Sequence, residues 1–141
     1  MKKTAVIYWS GTGNTEAMAN AVLEGMKAAG AEATLLTPDQ VDASALSDYD
    51  AIAFGCPAMG SEVLEESEFE PMFDGCKSSI GGKRVALFGS YGWGDGQWMR
   101  DWESDCSNAG ISLTCESVTC CETPDDTALA ACREMGKALA G

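Results

Sequence analysis

Six consecutive residues near the amino terminus combine hydrogen-bond donors with glycines, a pattern that suits the binding of a phosphate group. They are Ser10, Gly11, Thr12, Gly13, Asn14 and Thr15. Hydroxyls and an amide supply neutral donors, and the glycines let the backbone approach a ligand closely. A helix that begins at this loop would add the positive end of its dipole. A plain strand-to-helix turn explains two glycines, but it explains six such residues in a row less well.

Two other kinds of phosphate loop do not fit these residues. A Walker-type loop needs Gly-Lys before Ser or Thr, and a dinucleotide fingerprint needs a third glycine where Glu16 stands. The loop contains no lysine and no arginine, so a phosphate bound here would be held by neutral groups.

The charge and the missing histidine exclude several classes of function. The 141 residues include 22 acidic and 9 basic side chains and no histidine, for a net charge of −13. Such a charge repels nucleic acid and anionic membranes and favours a basic protein partner. Without histidine, hydrolases of the Ser-His-Asp or Cys-His kind and histidine-ligated haem or zinc are disfavoured. We therefore expect no nucleic acid, no membrane and no metal as partners.

The acidic residues are unevenly placed along the chain. Between Lys27 and Lys77 there are 11 acidic residues and no basic one. Taken alone, the densest part of this region is best interpreted as a solvated acidic face. Its acidic residues are Glu62, Glu65, Glu66, Glu68, Glu70 and Asp74.

The cysteines and the first residues indicate the compartment. The seven cysteines are odd in number and form no C-x-x-C pair, which favours reduced and mostly buried thiols over a disulfide scaffold. The apolar stretch after Lys3 is too short for a signal peptide or a membrane span. The sequence therefore predicts a cytoplasmic protein.

Strands and helices are predicted to alternate along the chain. Continuous apolar runs predict five strands, at residues 4–9, 33–36, 51–55, 84–90 and 111–118. Apolar residues at helical spacing predict helices over 15–29, with Gly30 as a left-handed cap, and over 69–76. Short helical structure is expected at 39–46. A further helix buries Met99, Trp102, Cys106 and Ala109.

The last helix has a start signal of its own. Thr123 is predicted to cap it and Pro124 to occupy its first turn. Its expected buried face consists of Leu129, Cys132, Met135 and Leu139.

This alternation predicts a single α/β domain with a parallel sheet covered on both faces. Ligands of such sheets bind at the carboxyl ends of the strands, where the strand order reverses. Three loops leave those ends in the middle of the sheet, at residues 10–15, 56–66 and 90–97. We expect the functional site to lie among them.

Each of these three loops resembles a loop of the flavodoxins. Ser10 to Thr15 is similar to their FMN phosphate loop, which also works without lysine or arginine. Ala58 to Glu66 resembles the second flavin loop of the short-chain clostridial flavodoxins, and Ser90 to Gly96 resembles their third. The resemblance implies an open twisted five-stranded sheet with strand order 2-1-3-4-5 and helices on both faces, formed by residues 1–141 as one domain.

The same resemblance implies a function. Flavodoxins bind one FMN non-covalently and carry single electrons at low potential between redox enzymes, without being enzymes themselves. The acidic composition adds an expectation of partner enzymes with basic docking surfaces. We expect a monomer.

The resemblance also assigns roles to residues. Trp93 is similar in place to the aromatic residue that stacks on the flavin, and Met59 is the candidate for the opposite face. Backbone amides from Gly92 to Gly94 are expected at the pyrimidine edge, and the Glu62 carboxylate at the flavin N3 hydrogen. The outer contacts from the loop at 120–122 stay open. The expected FMN-binding residues are Ser10, Gly11, Thr12, Gly13, Asn14, Thr15, Pro57, Ala58, Met59, Gly60, Ser61, Glu62, Ser90, Tyr91, Gly92, Trp93 and Gly94.

Three other functions fit the sequence less well than that of an electron carrier. A small FMN-dependent NAD(P)H:quinone reductase-like flavoenzyme is the alternative, although it would need a substrate pocket over the ring. A response-regulator receiver needs an acidic pair after the first strand and an aspartate after the third, where Tyr8, Trp9 and Gly55 stand. A low-molecular-weight phosphatase needs C-x5-R, which none of the cysteines has.

Overall fold

Among the described residues, five parallel strands form one sheet in the order β2-β1-β3-β4-β5, the order that the resemblance to the flavodoxins implies. The structure is a computed structural model that describes residues 2–11, 13–59, 63–92 and 94–141. The strands are β1 (Lys3–Tyr8), β2 (Glu32–Leu36), β3 (Ala51–Gly55), β4 (Arg84–Tyr91) and β5 (Val118–Cys121). All of β3 and five of the six residues of β1 are buried, because both faces of the sheet are covered.

In the part of the chain that the structure describes, four α-helices cover the sheet. They are α1 (Asn14–Ala28), α2 (Phe69–Cys76), α3 (Gln97–Asn108) and α4 (Asp126–Ala140). None of the helices in the described ranges is long and apolar enough to cross a membrane. Helix α1 ends before Gly30, whose φ of 88° confirms the predicted left-handed position.

The two faces of the sheet build two apolar cores. Along β1, Ala5 and Ile7 belong to one core and Val6 and Tyr8 to the other, as the alternation of side chains in a strand requires. The first core is shared with α2 and α3, where the rings of Phe73 and three other aromatic residues pack at centroid distances of 5.1–6.3 Å. The second is shared with α1 and α4 and holds Met18, Val22, Met26, Cys132, Met135 and Leu139. The seven cysteines, all of which are described, are free thiols, and four of them are buried.

The prediction of the fifth strand at 111–118 is wrong. Leu113 forms one bridge with Val85, and regular pairing begins only where Val118 lies opposite Phe88. Between these pairings β4 advances by three residues (85 to 88) and its partner by five (113 to 118). The two extra residues take the intervening segment out of the ladder, as in a β-bulge. Strand β5 therefore ends at Cys121, level with the end of β4.

Three helix predictions also need correction. Helix α4 is capped by Asp125, whose carboxylate accepts from the Ala128 N–H at 2.8 Å, so Thr123 and Pro124 lie ahead of the helix. The predicted short helix at 39–46 consists of two single 3-10 turns, Pro38–Gln40 and Ala45–Asp48. Ala109, placed on the buried face of α3, follows the end of that helix and is exposed.

Helices α1 and α4 are in backbone contact through two glycines. An ideal Cβ at Gly25 would lie 2.0 Å from the carbonyl oxygen of Arg133. One at Gly136 would lie 2.1 Å from the carbonyl oxygen of Val22 and 2.8 Å from the amide nitrogen of Met26. Neither position has space for a side chain.

Replacing Gly136 by alanine should therefore destabilise the protein. The backbone of the facing helix cannot move aside as a flexible side chain would, so we expect the free energy of unfolding in urea to fall by about 1–3 kcal/mol. Gly75→Ala is the matched control, because Gly75 is also helical and a Cβ there would meet no described atom within 4 Å. That variant should be neutral or stabilised by up to about 1 kcal/mol. Equal losses in both variants would contradict the packing described here.

Candidate functional site

The loops that follow β1, β3 and β4 are held side by side by backbone hydrogen bonds beyond the ends of the strands. The Trp9 N–H donates to the Gly55 carbonyl at 3.0 Å, and the Ala58 N–H donates to the Ser90 carbonyl at 3.0 Å. Because β1 lies between β2 and β3, the chain leaves β1 where the strand order reverses. This is the place where open parallel sheets bind their ligands.

The first loop has a conformation that glycine makes possible. Gly13 precedes α1 with φ of 94°, in the left-handed region that favours glycine. Its N–H donates to Ser10 Oγ at 3.0 Å. Since that bond uses a lone pair of the hydroxyl, the Ser10 O–H remains able to donate to a ligand. The first N–H groups of α1 have no partner within the helix, so the loop can present several donors to one anion.

Thr15 supplies a buried hydroxyl at the start of α1. Its side chain is 1% exposed, and Oγ1 has no hydrogen-bond partner among the described residues. A buried polar atom without a partner is unfavourable by about 1–3 kcal/mol. The hydroxyl therefore suits a ligand that supplies the missing acceptor.

A cavity of about 400 Å³ brings all three loops together. Its walls come from the first loop, from the second loop at residues 57–59 and from the third at residues 90–92. The lining residues are Trp9, Gly11, Asn14, Pro57, Ala58, Met59, Ser90, Tyr91, Gly92 and Glu122. A larger groove of about 950 Å³ runs between β5 and α4, but no residue of the first two loops lines it. The smaller cavity is therefore the candidate site.

A second cleft, of about 370 Å³, lies on the other side of the first loop. Ser10, Gly11 and Gly13 line it, as do the acidic residues Glu16, Asp39 and Glu68. The Tyr8 hydroxyl donates to Glu16 Oε2 at 3.1 Å. Burial, together with this bond and the negative charge of Glu16, raises the pKa of Tyr8, so the phenol stays a donor.

Most of the residues expected to bind FMN lie around these two cavities, and the others are placed as follows. Thr15 is buried beneath the first loop, and Gly94 follows the third wall with φ of 86°. The remaining expected residues, Thr12, Gly60, Ser61, Glu62 and Trp93, lie outside the described ranges.

Two residues that line the cavity of about 400 Å³ were not among those expected. Trp9 borders both cavities, and an ideal Cβ on Gly11 would lie 3.1 Å from its ring. The sequence predicts Trp9 as the last residue of the first strand, but β1 ends at Tyr8, so Trp9 belongs to the loop.

Glu122 is the other unexpected residue. It adopts φ of 59°, which is uncommon outside glycine and asparagine. Its N–H donates to the Tyr91 carbonyl at 2.7 Å, and its own carbonyl accepts from Ser90 Oγ at 2.6 Å. These two bonds hold the loop after β5 against the cavity, and no sequence pattern signals them.

Glu65 differs from the solvated acidic face predicted for its stretch. It is 5% exposed, and its carboxylate accepts from the N–H groups of Ser67, Glu68 and Phe69 at 2.7–3.0 Å. Burial alone would raise the pKa of Glu65, but the hydrogen bonds from Ser67, Phe69 and Glu68 outweigh it and lower the pKa below its usual value. Glu65 therefore fixes the junction between the second loop and α2. Glu66 and Glu68 are exposed, as predicted.

Comparison with known proteins shows the family. The flavodoxin family model matches residues 6–136. The chain is 44% identical to a flavodoxin of Clostridium beijerinckii over 135 residues, which cover 96% of this chain and 97% of that protein.

It belongs to the flavodoxin family.

Further relatives agree over the same length. A flavodoxin of Megasphaera elsdenii is 43% identical over 135 residues, 96% of each chain. The solution structure of two-electron reduced Megasphaera elsdenii flavodoxin matches with a TM-score of 0.89 over 97% of this chain and 98% of that one, at 42% identity.

Flavodoxins bind FMN and transfer electrons, and the chain is an FMN-binding electron-transfer protein rather than an enzyme. The quinone reductase-like alternative is not favoured by these relatives. The site fits the cofactor, because the unpartnered Thr15 hydroxyl and the open amides of α1 suit its phosphate. A cavity with Met59 and Tyr91 in its walls suits a flat apolar ring system.

The Glu65 cap generates a prediction about pH. Glu65→Gln removes the carboxylate that caps α2, so the free energy of unfolding at neutral pH should fall by about 1–2 kcal/mol. Because the pKa of Glu65 is lowered in the folded state, its contribution is present above the usual carboxyl pKa and is lost as the pH falls through the lowered value. The gap between variant and parent should close toward low pH in urea unfolding from about pH 7 to about pH 3.

Glu66→Gln is the matched control for this prediction. Glu66 is the exposed neighbour of Glu65, and its replacement should change the free energy of unfolding by less than about 0.5 kcal/mol. A gap between Glu65→Gln and the parent that stays constant with pH would contradict the cap.

Proposed function

We propose that this chain holds FMN at the carboxyl ends of β1, β3 and β4 and carries single low-potential electrons between redox enzymes. The observation that carries the proposal is the buried Thr15 hydroxyl, which has no partner in the described part of the chain. FMN supplies the chemistry, since it takes up and releases single electrons when bound.

The first loop binds the phosphate. Ser10 and Thr15 donate hydroxyl hydrogens, Asn14 donates its side-chain amide, and the first N–H groups of α1 converge on the same anion. Thr12 adds a third hydroxyl in this proposal. Neither cavity is lined by a described lysine or arginine, so neutral donors and the helix dipole hold the charge.

The second and third loops bind the ring system. Met59 packs on one face and Trp93 stacks on the other, while backbone amides from Gly92 to Gly94 hydrogen-bond the pyrimidine edge. Glu62 accepts from the flavin N3 hydrogen. Residues 57–59 and 90–92, which the structure describes, adjoin each other and line the same cavity. Gly60 and Ser61 complete the second loop.

In this proposal, the negative charges around the site set the reduction potential of the bound FMN. The two cavities are lined by Glu122 and by Glu16, Asp39 and Glu68, with no described cation among the lining residues. Negative charges close to a site that excludes water oppose any further negative charge there. The protein therefore favours the oxidised cofactor and makes the bound cofactor a strong reductant.

The same charges select the partner. A net charge of −13 attracts redox enzymes whose docking surfaces are basic, and the exposed Glu66, Glu68 and Glu122 carry part of it. We propose that the chain works as a monomeric single domain in the cytoplasm. Electron transfer to a basic partner should slow as salt screens these charges, whereas a neutral small-molecule acceptor should show little salt dependence.

The purified protein should be yellow and should release FMN, not FAD, on denaturation. The cavity of about 400 Å³ and a single phosphate-binding loop suit a mononucleotide. Chromatography of the released cofactor against both standards makes the measurement. A colourless protein that does not bind added FMN would overturn the proposal.

Thr15→Val tests the phosphate site directly. Valine has nearly the shape of threonine, so removing an unpartnered hydroxyl should leave the stability of the apoprotein unchanged or slightly higher. FMN should bind about tenfold more weakly or worse, because hydrogen bonds to charged groups contribute about 1.5–3 kcal/mol. Fluorescence titration of apoprotein with FMN gives the Kd.

Thr4→Val is the matched control and should behave in the opposite way. Thr4 is also buried, but its hydroxyl already donates to the Glu32 carbonyl at 3.1 Å. Its removal should lower the free energy of unfolding by about 1 kcal/mol and leave the Kd of FMN within about twofold. An unchanged Kd in Thr15→Val would show that this hydroxyl does not contact the phosphate.

A further inference from the structure

Helix α3 carries two buried tryptophans that differ in one respect. Trp98 is 1% exposed, and its indole Nε1–H donates to the carbonyl oxygen of Cys56 at 3.1 Å. Trp102 is 2% exposed, and its Nε1 has no hydrogen-bond partner among the described residues. Both indoles fill the core, but only the one at position 98 is bonded to a loop of the candidate site.

Cys56 is the residue at which the second loop leaves β3. Its N–H donates to the Phe88 carbonyl at 3.2 Å, and its sulfur accepts from the Glu65 N–H at 3.3 Å. Pro57 and Ala58, which follow directly, line the cavity. Any change in the orientation of the Cys56 carbonyl is therefore passed to the cavity wall through one or two peptide bonds.

Gly89 makes the contact between the indole and the carbonyl possible. An ideal Cβ at this position would lie 2.2 Å from the Cys56 carbonyl oxygen and 3.0 Å from Cζ2 of Trp98. Any other residue at position 89 would push the indole of Trp98 and the carbonyl of Cys56 apart. The strand, the loop and the helix meet at a point where there is no space for a side chain.

The same indole also contacts the adjoining wall of the cavity at residues 90–92. The rings of Trp98 and Tyr91 lie 5.5 Å apart between centroids, at an angle of 52°. Tyr91 ends β4 and lines the cavity beside Gly92. Trp98 thus hydrogen-bonds to Cys56, directly before the wall at residues 57–59, and packs against Tyr91 in the wall at residues 90–92.

We propose that Trp98 is a positioning residue for FMN, which holds the two adjoining cavity walls in their binding conformation through the carbonyl of Cys56 and the ring of Tyr91. It acts through these residues and does not itself line the cavity. Without the hydrogen bond, the second loop samples more conformations before binding, and binding must then order it. The inference rests on the proposed placement of FMN between these walls.

The test compares Trp98→Phe with Trp102→Phe. Both variants replace a buried indole of α3 by a smaller ring and should lower the free energy of unfolding. Trp98→Phe should lower it more, because it also removes a hydrogen bond, whereas Trp102→Phe removes an unpartnered N–H. Only Trp98→Phe loses a hydrogen bond to a site loop. A neutral hydrogen bond contributes about 0.5–1.5 kcal/mol, so the Kd of FMN should rise about 2- to 10-fold in Trp98→Phe and should stay within about twofold in Trp102→Phe.

The outcomes separate this inference from the proposed function. If the parent apoprotein fails to bind FMN, the proposed function is wrong. If the parent binds FMN and the two variants have the same Kd, the FMN site stands and Trp98 is only a core residue. A rise in Kd confined to Trp98→Phe supports the positioning role.

If Trp98→Phe does not fold, hydrogen exchange in the parent protein tests the positioning role of Trp98. Coupling between sites is reciprocal, so FMN should strengthen the bond that favours its binding. Exchange of the Trp98 indole hydrogen, followed by NMR, should slow on FMN binding by more than that of Trp102. Equal slowing of both indole hydrogens, or none, would overturn the positioning role.

Discussion

The structure depends on how an acidic chain holds an anionic group without using a cation. A phosphate monoester carries about −1.5 to −2 charge at neutral pH, while the chain carries −13 and no described lysine or arginine lines either cavity beside the first loop. Attraction must then come from convergent neutral dipoles. In the proposed phosphate site these dipoles come from the first turn of α1, the loop at Gly13 and the hydroxyls of Ser10 and Thr15. They lie close in sequence because a loop of only five residues connects the end of β1 at Tyr8 to the start of α1 at Asn14.

The strand order then determines what surrounds that point. Because β1 pairs with β2 and β3, its loop lies at the reversal of the sheet, and the loops after β3 and β4 form the walls on one side. Those walls need internal support, because loops alone are mobile. Glu65 fixes the far end of the second loop to α2, and Trp98 fixes its near end to α3. Ser90 and Tyr91 hold Glu122 against the third wall. The polar groups near the candidate site are thus used largely to orient the backbone.

Continuous apolar runs and glycine-rich turns are local signals, and they predict the strands, the helices and the three loops, whereas the sheet order follows only from the resemblance to the flavodoxins. Prediction from these signals fails where a contact between distant residues decides, or where two neighbouring residues suit the same role. The offset between Leu113 and Val118 depends on how the edge segment follows β4, and periodicity within the segment does not reveal it. Asp125 rather than Thr123 caps α4, although either residue type is a good cap.

Some residues of the candidate site can likewise be recognised from the sequence, and others cannot. The glycines and hydroxyls of the first loop are recognisable in sequence because their types are unusual together. The role of Glu65 is not recognisable in sequence, since its acidic neighbours give the whole stretch the composition of an exposed face although Glu65 itself is buried. The left-handed conformation of Glu122 is imposed by β4 and contradicts the preference of its residue type. Trp9 resembles any strand aromatic until its contact with Gly11 is seen.

The salt dependence of FMN affinity tests the central claim most directly. Raising the ionic strength from about 0.01 M to about 0.1 M shortens the Debye length from about 30 Å to about 10 Å. If neutral donors hold the phosphate against the field of an acidic chain, screening removes repulsion and the Kd of FMN should fall. Riboflavin, which lacks the phosphate, should show little change. A Kd of FMN that rises with salt, as for phosphates held by lysine or arginine, would contradict the account.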